Sequence, residues 1–434
     1  MSKILHIVHC IDTEGPLIET ASDTVARVND IFNINLDKNT MTLRAIQNQE
    51  LDLGGIEEDV ARVVHPDLLK YNENWSEIGD MLDDCMSKTF RYRVPDSFGE
   101  GWVYSWHCMD HAGYSNNPRS KDLGFGNVFR YYQSKTAEKG AKDEINWHYH
   151  PLSFDRNPIR SATNYVNNYD VLLEVLCRRL IDSKWFPSVN RPGFHTERPD
   201  IHLFLEQWIP FDYANQYYET EDGAADLVGG RFGDWRFSPS SWRGYHPDIH
   251  NYQDQGNCNR WIFRCLNVGT RHKPLLKTHV EQAFQEASLH GDAILAFADH
   301  DYRDIRPDVR AVQALIEKVK ADFPDVKVKY SGAKEAAIIV RGDPKIEPIK
   351  LNAYISNNRL NIEVVKGDIF GSQPFLAIKT AAGTYHYDNC DVNVFGSHYT
   401  YTFDHHTLPL NVIKKITVAA NDKNGYQSIV NVEF

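Results

Sequence analysis

The chain has 434 residues, of which 42% are hydrophobic and 24% are charged. This is the composition of a globular protein, and it excludes collagen-like, low-complexity and wholly disordered chains. The formal net charge of -12 repels polyphosphate, so we expect no nucleic-acid partner.

Strand-like and helix-like segments alternate through about the first 340 residues, which predicts an α/β architecture with a largely parallel sheet. The predicted strands are Ile4–Ile11, Gly101–Met109, Glu144–Tyr149, one starting at Pro187–Val189, Phe211–Ala214, Ala293–Ala298 and Val326–Tyr330. The predicted helices are Val128–Lys139, Tyr169–Lys184, Ile201–Trp208, His279–His290 and Val309–Ala321. Residues 220–267 have weak periodicity, so we expect a long functional loop or insertion there.

The last part of the chain changes character after the hinge Arg341–Pro344. Short β-rich runs separated by Asn and Gly turns follow it, which is typical of a small antiparallel β-sandwich. We therefore predict two domains, residues 1–342 and residues 343–434.

The distribution of cysteine and apolar residues bears on the cellular context. The seven cysteines are scattered and include no CxxC pair, which argues against a disulfide framework and against a thiolate metal site. No stretch approaches the ~20 apolar residues of a membrane-spanning helix, and the N-terminal residues lack a signal-peptide pattern. We expect a cytoplasmic protein without a membrane span. A homo-oligomer is one of the oligomeric states that we expect for it.

Four of the predicted strands end in ionisable residues, and ligands bind at the carboxyl ends of strands in parallel α/β sheets. Asp12 and Glu14 are two residues apart, so both project to one face if the extended conformation continues. The same spacing holds for His148 and His150. Two imidazoles and one carboxylate can bind a divalent cation and leave a position for water. We therefore expect a metal site, with zinc as the favoured ion.

Other residues near the strand ends are candidates for catalysis or substrate contact. The guanidinium of Arg191 would pair with a carboxylate and hold the pKa of that carboxyl down. His300 is flanked by two aspartates, which suits a general acid whose pKa is raised by neighbouring negative charge. The expected substrate contacts are Asp110 and two tryptophans that would stack on sugar rings, Trp147 and Trp235.

Five segments in this order resemble the NodB-homology polysaccharide deacetylases of carbohydrate esterase family 4, nearest the branch associated with lipopolysaccharide biosynthesis. The segments are His9–Gly15, Ile145–Pro151, Arg191–Gly193, Phe211–Tyr213 and Asp299–Asp301. The resemblance covers most of residues 1–340 and implies an incomplete (β/α)7 barrel that removes acetyl groups from sugars with a divalent metal.

The resemblance also implies roles for individual residues. Asp12 would be the base, oriented by Arg191, and His300 would protonate the leaving amine. Glu14, His148 and His150 would be the metal ligands, and Asp212 would join the substrate contacts. Thr13 separates the two carboxylates, whereas the family has adjacent aspartates, so the roles of Asp12 and Glu14 remain interchangeable at this point.

The expected function is the deacetylation of an amino sugar or polysaccharide in cell-surface polysaccharide metabolism, with a carbohydrate as the substrate. One alternative is a glycoside hydrolase that pairs Asp12 or Glu14 with Asp299 or Asp301. The other alternative is a carbohydrate-binding protein without catalytic activity.

Overall fold

The computed structural model describes residues 2–139, 142–159, 164–219, 233–342 and 346–433. The first part of the chain forms a parallel β-barrel surrounded by helices, and the last part forms two antiparallel sheets. The α/β architecture and the antiparallel C-terminal sheets predicted from the sequence are confirmed.

Seven parallel strands of the described chain close into a ring, and an eighth strand adds to its outside. They are β1 (Ile4–Thr13), β2 (Tyr104–Cys108), β3 (Glu144–Tyr149), β4 (Val189–Pro192), β5 (Phe211–Asn215), β6 (Trp261–Asn267), β7 (Ala293–His300) and β8 (Lys327–Tyr330). The order is β2-β3-β4-β5-β6-β7-β1, and β1 pairs with β2 to complete the ring.

The prediction of an incomplete barrel was wrong, because β1 is long enough to have three neighbours. Its residues from Leu5 to Asp12 pair with β7, its first four residues pair with β8, and its second half, from His9 to Thr13, pairs with β2. The second pairing closes the ring at the end where the polar residues lie. Nine of the ten residues of β1 are buried, as expected for a strand covered on both faces.

Helices cover the outside of the barrel. They are α1 (Ala21–Phe32), α2 (Thr40–Gln47), α3 (Glu57–Val63), α4 (Trp75–Cys85), α5 (Lys88–Arg91), α6 (Asn127–Lys139), α7 (Tyr169–Ser183), α8 (Pro199–Trp208), α9 (Lys277–His290), α10 (Arg306–Lys320) and α11 (Ala333–Arg341). None of the described helices is long and apolar enough to cross a membrane.

The five helices between β1 and β2 were not predicted. Three of them, α1, α2 and α3, form a small cluster of their own around Val25, Ile46 and Val60, whereas α4 and α5 pack into the main barrel cluster through Ile78 and Phe90. Helix α1 begins with a capping box, because the Thr20 side chain accepts from the backbone of Asp23 and the Asp23 carboxylate accepts from the backbone of Thr20. This insertion stands beside the end of β1 that carries the polar residues.

The prediction of a loop or insertion over residues 220–267 was wrong at its end, where β6 is a barrel strand. The apolar pattern of this strand is interrupted by Arg264, which is buried and donates to the Glu219 carboxylate and to the carbonyl of Ser240. A buried arginine therefore masks the strand in the sequence. Residues 220–232 lie outside the described part of the chain.

The C-terminal strands form two four-stranded antiparallel sheets that share one apolar core. They are β9 (Lys350–Ser356), β10 (Arg359–Lys366), β11 (Phe375–Thr380), β12 (Tyr385–Asp388), β13 (Asp391–Val394), β14 (His398–Thr402), β15 (Ile413–Asn421) and β16 (Gln427–Val432). The domain boundary predicted between residues 342 and 343 stays a prediction, since residues 343–345 lie outside the described ranges.

Candidate metal centre

Three predicted metal ligands converge at the carboxyl end of the barrel. His148 is in β3, His150 follows that strand, and Glu14 follows β1. One ligand atom from each of the three lies within 4.8 Å of the other two, and in the described residues this is the group that could hold a metal ion. The spacing of two along an extended chain brings both imidazoles to the same side of β3.

The two imidazoles are prepared for ligation by their hydrogen bonds and burial. His148 Nδ1 lies 2.6 Å from the carbonyl oxygen of Arg191, so this nitrogen carries the proton and Nε2 keeps a lone pair. The Nε2 atoms of His148 and His150 are 2.9 Å apart. Burial lowers the pKa of each imidazole to about 4, which favours the neutral form that binds metals.

The carboxylate of Glu14 is shared between the histidines and a lysine that was not predicted. Its Oε1 lies 3.6 Å from His150 Nε2, and its Oε2 lies 3.0 Å from Lys121 Nζ. Burial would raise the pKa of Glu14, but the charge of Lys121 and the interactions with three neighbouring histidines together outweigh burial and hold this pKa well below its usual range. One oxygen of an ionised carboxylate therefore faces the imidazoles.

Asp12 lies beside this group and is held by an arginine. Its Oδ1 is 2.8 Å from Arg191 Nε and 3.7 Å from His148 Nδ1. The sequence-based expectation that the arginine lowers the pKa of the carboxyl was wrong in its net effect. Burial raises the pKa of Asp12 to about 6, because desolvation outweighs the charge of Arg191.

His300 reaches the same carboxylate from the other side of β1. Its Nε2 lies 3.7 Å from Asp12 Oδ2, since β1 and β7 pair Asp12 with His300 in register. We expected neighbouring negative charge to raise the pKa of His300. Instead, burial lowers the pKa of His300 well below its usual value, so the imidazole is neutral in the resting protein.

The two aspartates that flank His300 serve the structure of the barrel end. Asp301 accepts hydrogen bonds from the backbone nitrogens of Glu14 and Gly15 at 2.7 and 2.9 Å, and from the Tyr132 hydroxyl. The carboxylate of Asp299 accepts from the backbone of His300. Both are fully buried and neither lines the cleft, so Asp301 positions Glu14 through its main chain.

The loop after β4 approaches the metal centre closely. A Cβ atom on Gly193 would lie 2.3 Å from the His150 ring, so only glycine leaves room for that imidazole. The next two residues, Phe194 and His195, have a left-handed backbone with φ of 53°. Such strain in non-glycine residues is typical of functional sites. The Phe194 ring stands edge-on to His150, with 4.8 Å between the ring centroids.

A cleft of about 210 Å³ opens over these groups. Its lining includes Asp12, Glu14, His148, His150 and His300, and Arg191 supports Asp12 from below with a fully buried side chain. The lining also includes residues that we did not predict, among them Arg119, Lys121, Phe194, His195, Tyr302 and Arg303. The strand-end signal would have found Tyr302 and Arg303, which directly follow Asp299–Asp301.

The four predicted substrate contacts lie outside the cleft, because each is buried against protein groups. Asp110 pairs with Arg179 at 3.2 Å, and Trp147 packs against the same guanidinium. Asp212 pairs with Arg260 at 2.8 Å. Trp235 donates to the carbonyl of His195 at 2.9 Å. The structure therefore places these side chains in the framework around the site.

The donor set fits a divalent cation of the zinc type. It consists of two neutral imidazole nitrogens and one carboxylate oxygen, which leaves a coordination position open. The carbonyl of Arg191 fixes the tautomer of His148, as outer hydrogen bonds do for metal-binding histidines. The arrangement could polarise a carbonyl group and supply a nucleophilic water next to Asp12.

Comparisons with known proteins do not assign the chain to a family. No protein-family model matches it, and no curated protein matches it. Among solved structures, a modular endo-beta-1,4-mannanase from Cellulomonas fimi, described with the glycoside hydrolase family 26 mannanases, matches at 10% identity with a TM-score of 0.22. The match covers 99% of this chain and 94% of that chain. A similarity this low carries no argument about activity.

Proposed function

We propose that this protein is a metal-dependent hydrolase that removes an acetyl group from an amino sugar or polysaccharide. The observation that supports this proposal is the convergence of Glu14, His148 and His150 within 4.8 Å, beside a carboxylate held by an arginine. In this proposal Glu14, His148 and His150 hold the cation, and zinc is the ion that this donor set favours. When bound, the cation polarises the acetyl carbonyl and activates a water.

Asp12 is the general base in this proposal. Arg191 fixes its orientation through the 2.8 Å contact, and the carboxylate lies next to the imidazole of His148. Since Glu14 faces His150 while Asp12 faces Arg191, we assign Glu14 as the ligand and Asp12 as the base. A carboxyl with a pKa raised to about 6 accepts a proton from the attacking water and can still release it.

The leaving amine needs a proton, and the pKa values bear on its source. His300 is neutral in the resting protein, because burial lowers its pKa well below the usual value. The proton for the leaving amine therefore comes from Asp12, which has accepted it from the attacking water. His300 Nε2 lies 3.7 Å from Asp12 Oδ2 and orients that carboxyl. We propose that Asp12 acts first as base and then as acid, with His300 as a positioning residue.

The alternative of a glycoside hydrolase has less support. It needs two carboxyl groups facing each other across a cleft. Asp299 and Asp301 face away from the cleft, and Asp301 is occupied by the backbone nitrogens of Glu14 and Gly15. The remaining carboxylates of the described cleft lining, Asp12 and Glu14, lie two residues apart on one side of it. The third alternative is carbohydrate binding without catalysis. It does not explain why Arg191 holds the carboxylate of Asp12 in place beside the proposed ligands.

The proposal is tested by acetate release from N-acetylated sugars by the purified protein. We expect release that stops after treatment with a chelator and returns when zinc is added. Asp12→Asn should abolish release, and Asn352→Ala on the exposed face of β9 is the control that should retain it. Cleavage of glycosidic bonds without acetate release would contradict the proposal.

A further inference from the structure

One side of the cleft is formed by positively charged side chains around the ring of Tyr302. Lys121 Nζ lies 4.5 Å from the ring centroid, and the guanidinium carbons of Arg303 and Arg119 lie 5.0 Å and 5.7 Å from it. We call these three residues the cationic wall. All three line the cleft, and Lys121 joins the wall to the metal centre through its contact with Glu14.

The negative charges nearby do not balance this wall. Glu19 is shared between two arginines, since Arg27 contacts it at 2.7 Å and Arg119 contacts it at 3.4 Å. Arg303 donates to the carbonyl oxygen of Gly269 and, in the described part of the chain, has no carboxylate within 4.0 Å. Lys121 is paired with Glu14, but Glu14 is the carboxylate that a cation would also bind.

The surplus of positive charge is local. The whole chain has a formal net charge of -12, yet the described cleft lining has two carboxylates, Asp12 and Glu14, against the wall, Arg27 and Arg271. Lys121 is only 8% exposed and Arg119 is 26% exposed on its side chain. Cations that are withdrawn from water in this way gain most when an anion pairs with them.

We propose that the substrate is an acetylated sugar that carries an anionic group, a carboxylate or a phosphate, which pairs with Arg119 and Arg303. This inference rests on the proposed deacetylase function and adds the substrate class to it. The anionic group would lie across Tyr302 from the metal centre, while the acetyl group lies over His148 and His150. Lys121 would then neutralise part of the charge between the two.

An adjoining groove gives the rest of such a substrate a place to lie. A cavity of about 920 Å³ shares Leu68, Thr270, Arg271 and Arg303 with the cleft. Its acidic and basic lining residues are more evenly matched, for example Lys70 with Asp67 at 2.7 Å. The excess positive charge is therefore confined to the cleft. The groove has room for further sugar units on either side of Arg303.

Binding measurements on the full chain test the inference separately from turnover. The probes are N-acetylglucosamine, N-acetylmuramic acid and N-acetylglucosamine 6-phosphate, which share the acetamido group and differ in charge. Titration calorimetry with zinc-loaded protein should show at least tenfold tighter binding of one anionic probe than of the neutral sugar. The affinity of that probe should fall as salt is added, and the two anionic probes distinguish a carboxylate from a phosphate.

Substitutions locate the preference on the wall. Arg119→Gln and Arg303→Gln should each reduce the ratio of anionic to neutral affinity by about tenfold, the effect of one lost charge-assisted contact of about 1.4 kcal/mol. Arg359→Gln changes the net charge equally on the exposed end of β10 and should leave the ratio unchanged. Equal affinity for all three probes, absence of binding, or a preference that survives both cleft substitutions would overturn the inference. A charge preference without acetate release would instead reject the deacetylase proposal alone.

Discussion

Asp12 is the residue on which the proposed chemistry depends. It is buried, it touches Arg191, His148 and His300, and it does not belong to the set that could hold the cation. In the proposed mechanism its oxygens therefore exchange protons with a water, while Glu14 serves as the ligand.

Asp12→Asn should keep the bound metal and lose activity. The amide preserves the size of the side chain but cannot accept a proton, so we expect kcat to fall by about 10²–10⁴-fold. Metal content and acetate release measured on the same sample test this result. If Asp12→Asn loses the metal while Glu14→Gln keeps it, the two carboxylates have the opposite roles.

His6, at the other end of β1, makes stability depend on pH. Burial lowers the pKa of His6 to about 4 from its usual 6.5. The unfolded chain therefore binds a proton on this residue at a higher pH than the folded chain. The stabilisation is fully present above about pH 6.5 and is lost as the pH falls towards 4, by up to about 3 kcal/mol.

The comparison of wild type with His6→Gln isolates this effect, because glutamine does not titrate. The difference between their free energies of unfolding should change by up to about 3 kcal/mol between pH 6.5 and pH 4. Urea denaturation at several pH values measures it. A difference that is independent of pH would show that His6 is protonated equally in both states.

The sequence predicted the residues of the site better than their environments. Spacing of two on a strand was sufficient to bring His148 and His150 to one face. The pKa values of Asp12 and His300 were not predictable, because they depend on burial by distant segments. Lys121 was missed because its contact with Glu14 is made by a loop without periodic pattern.

At the scale of single elements, the ends of β1, β3 and β4 position the side chains of the candidate metal centre. Asp301 holds the backbone after β1, and the loop after β4 leaves space for His150 only because residue 193 is glycine. The elements themselves were largely predictable from alternating apolar residues. The strained turn at Phe194 and His195 was not, since no residue type there signals a left-handed backbone.

Gly193→Ala should displace the His150 imidazole, because the added methyl group would lie 2.3 Å from the ring. We expect metal affinity to fall by about 10–100-fold, as it does when groups that orient ligands are changed. Zinc titration with a competing chelator measures the loss. Gly79→Ala, on the outer helix α4, is the matched control, and equal affinities of the two variants would contradict this account of the loop.

At the scale of the whole molecule, the C-terminal sheets pack directly on the barrel. Phe375 and Ala419 share an apolar cluster with Trp208 of α8. Asn421 donates to the carbonyl oxygens of Pro187 and Trp208 at 2.6 and 2.9 Å. These contacts hold the chain that leads into β4, the strand that carries Arg191.

Asn421→Ala should lower the free energy of unfolding by about 1–3 kcal/mol, because two buried carbonyl groups lose their donor. Denaturant unfolding monitored by tryptophan fluorescence measures it. Asn352→Ala, on an exposed face of the same sheets, should change stability by less than about 0.5 kcal/mol. A similar loss for both variants would show that the contact does not couple the sheets to the barrel.

The closure of the barrel illustrates what the sequence could not provide. Six of the seven ring strands were predicted from local pattern, but the ring closes through pairing between β1 and β2, which are separated by the unpredicted helices α1 to α5. Pairing between distant segments leaves no periodic signal in either one. Helix α1 of this group brings Arg27 to the cleft, so part of the positive charge of the cleft was also not predicted from the sequence.

The metal content of the purified protein tests the central claim most directly. We predict about one equivalent of a divalent cation per chain after zinc loading, and much less in His148→Ala and in His150→Ala. His405→Ala, in an exposed turn of the C-terminal sheets, is the control and should retain the full equivalent. A wild-type protein that binds no cation, or two histidine variants that both keep a full equivalent, would contradict the account.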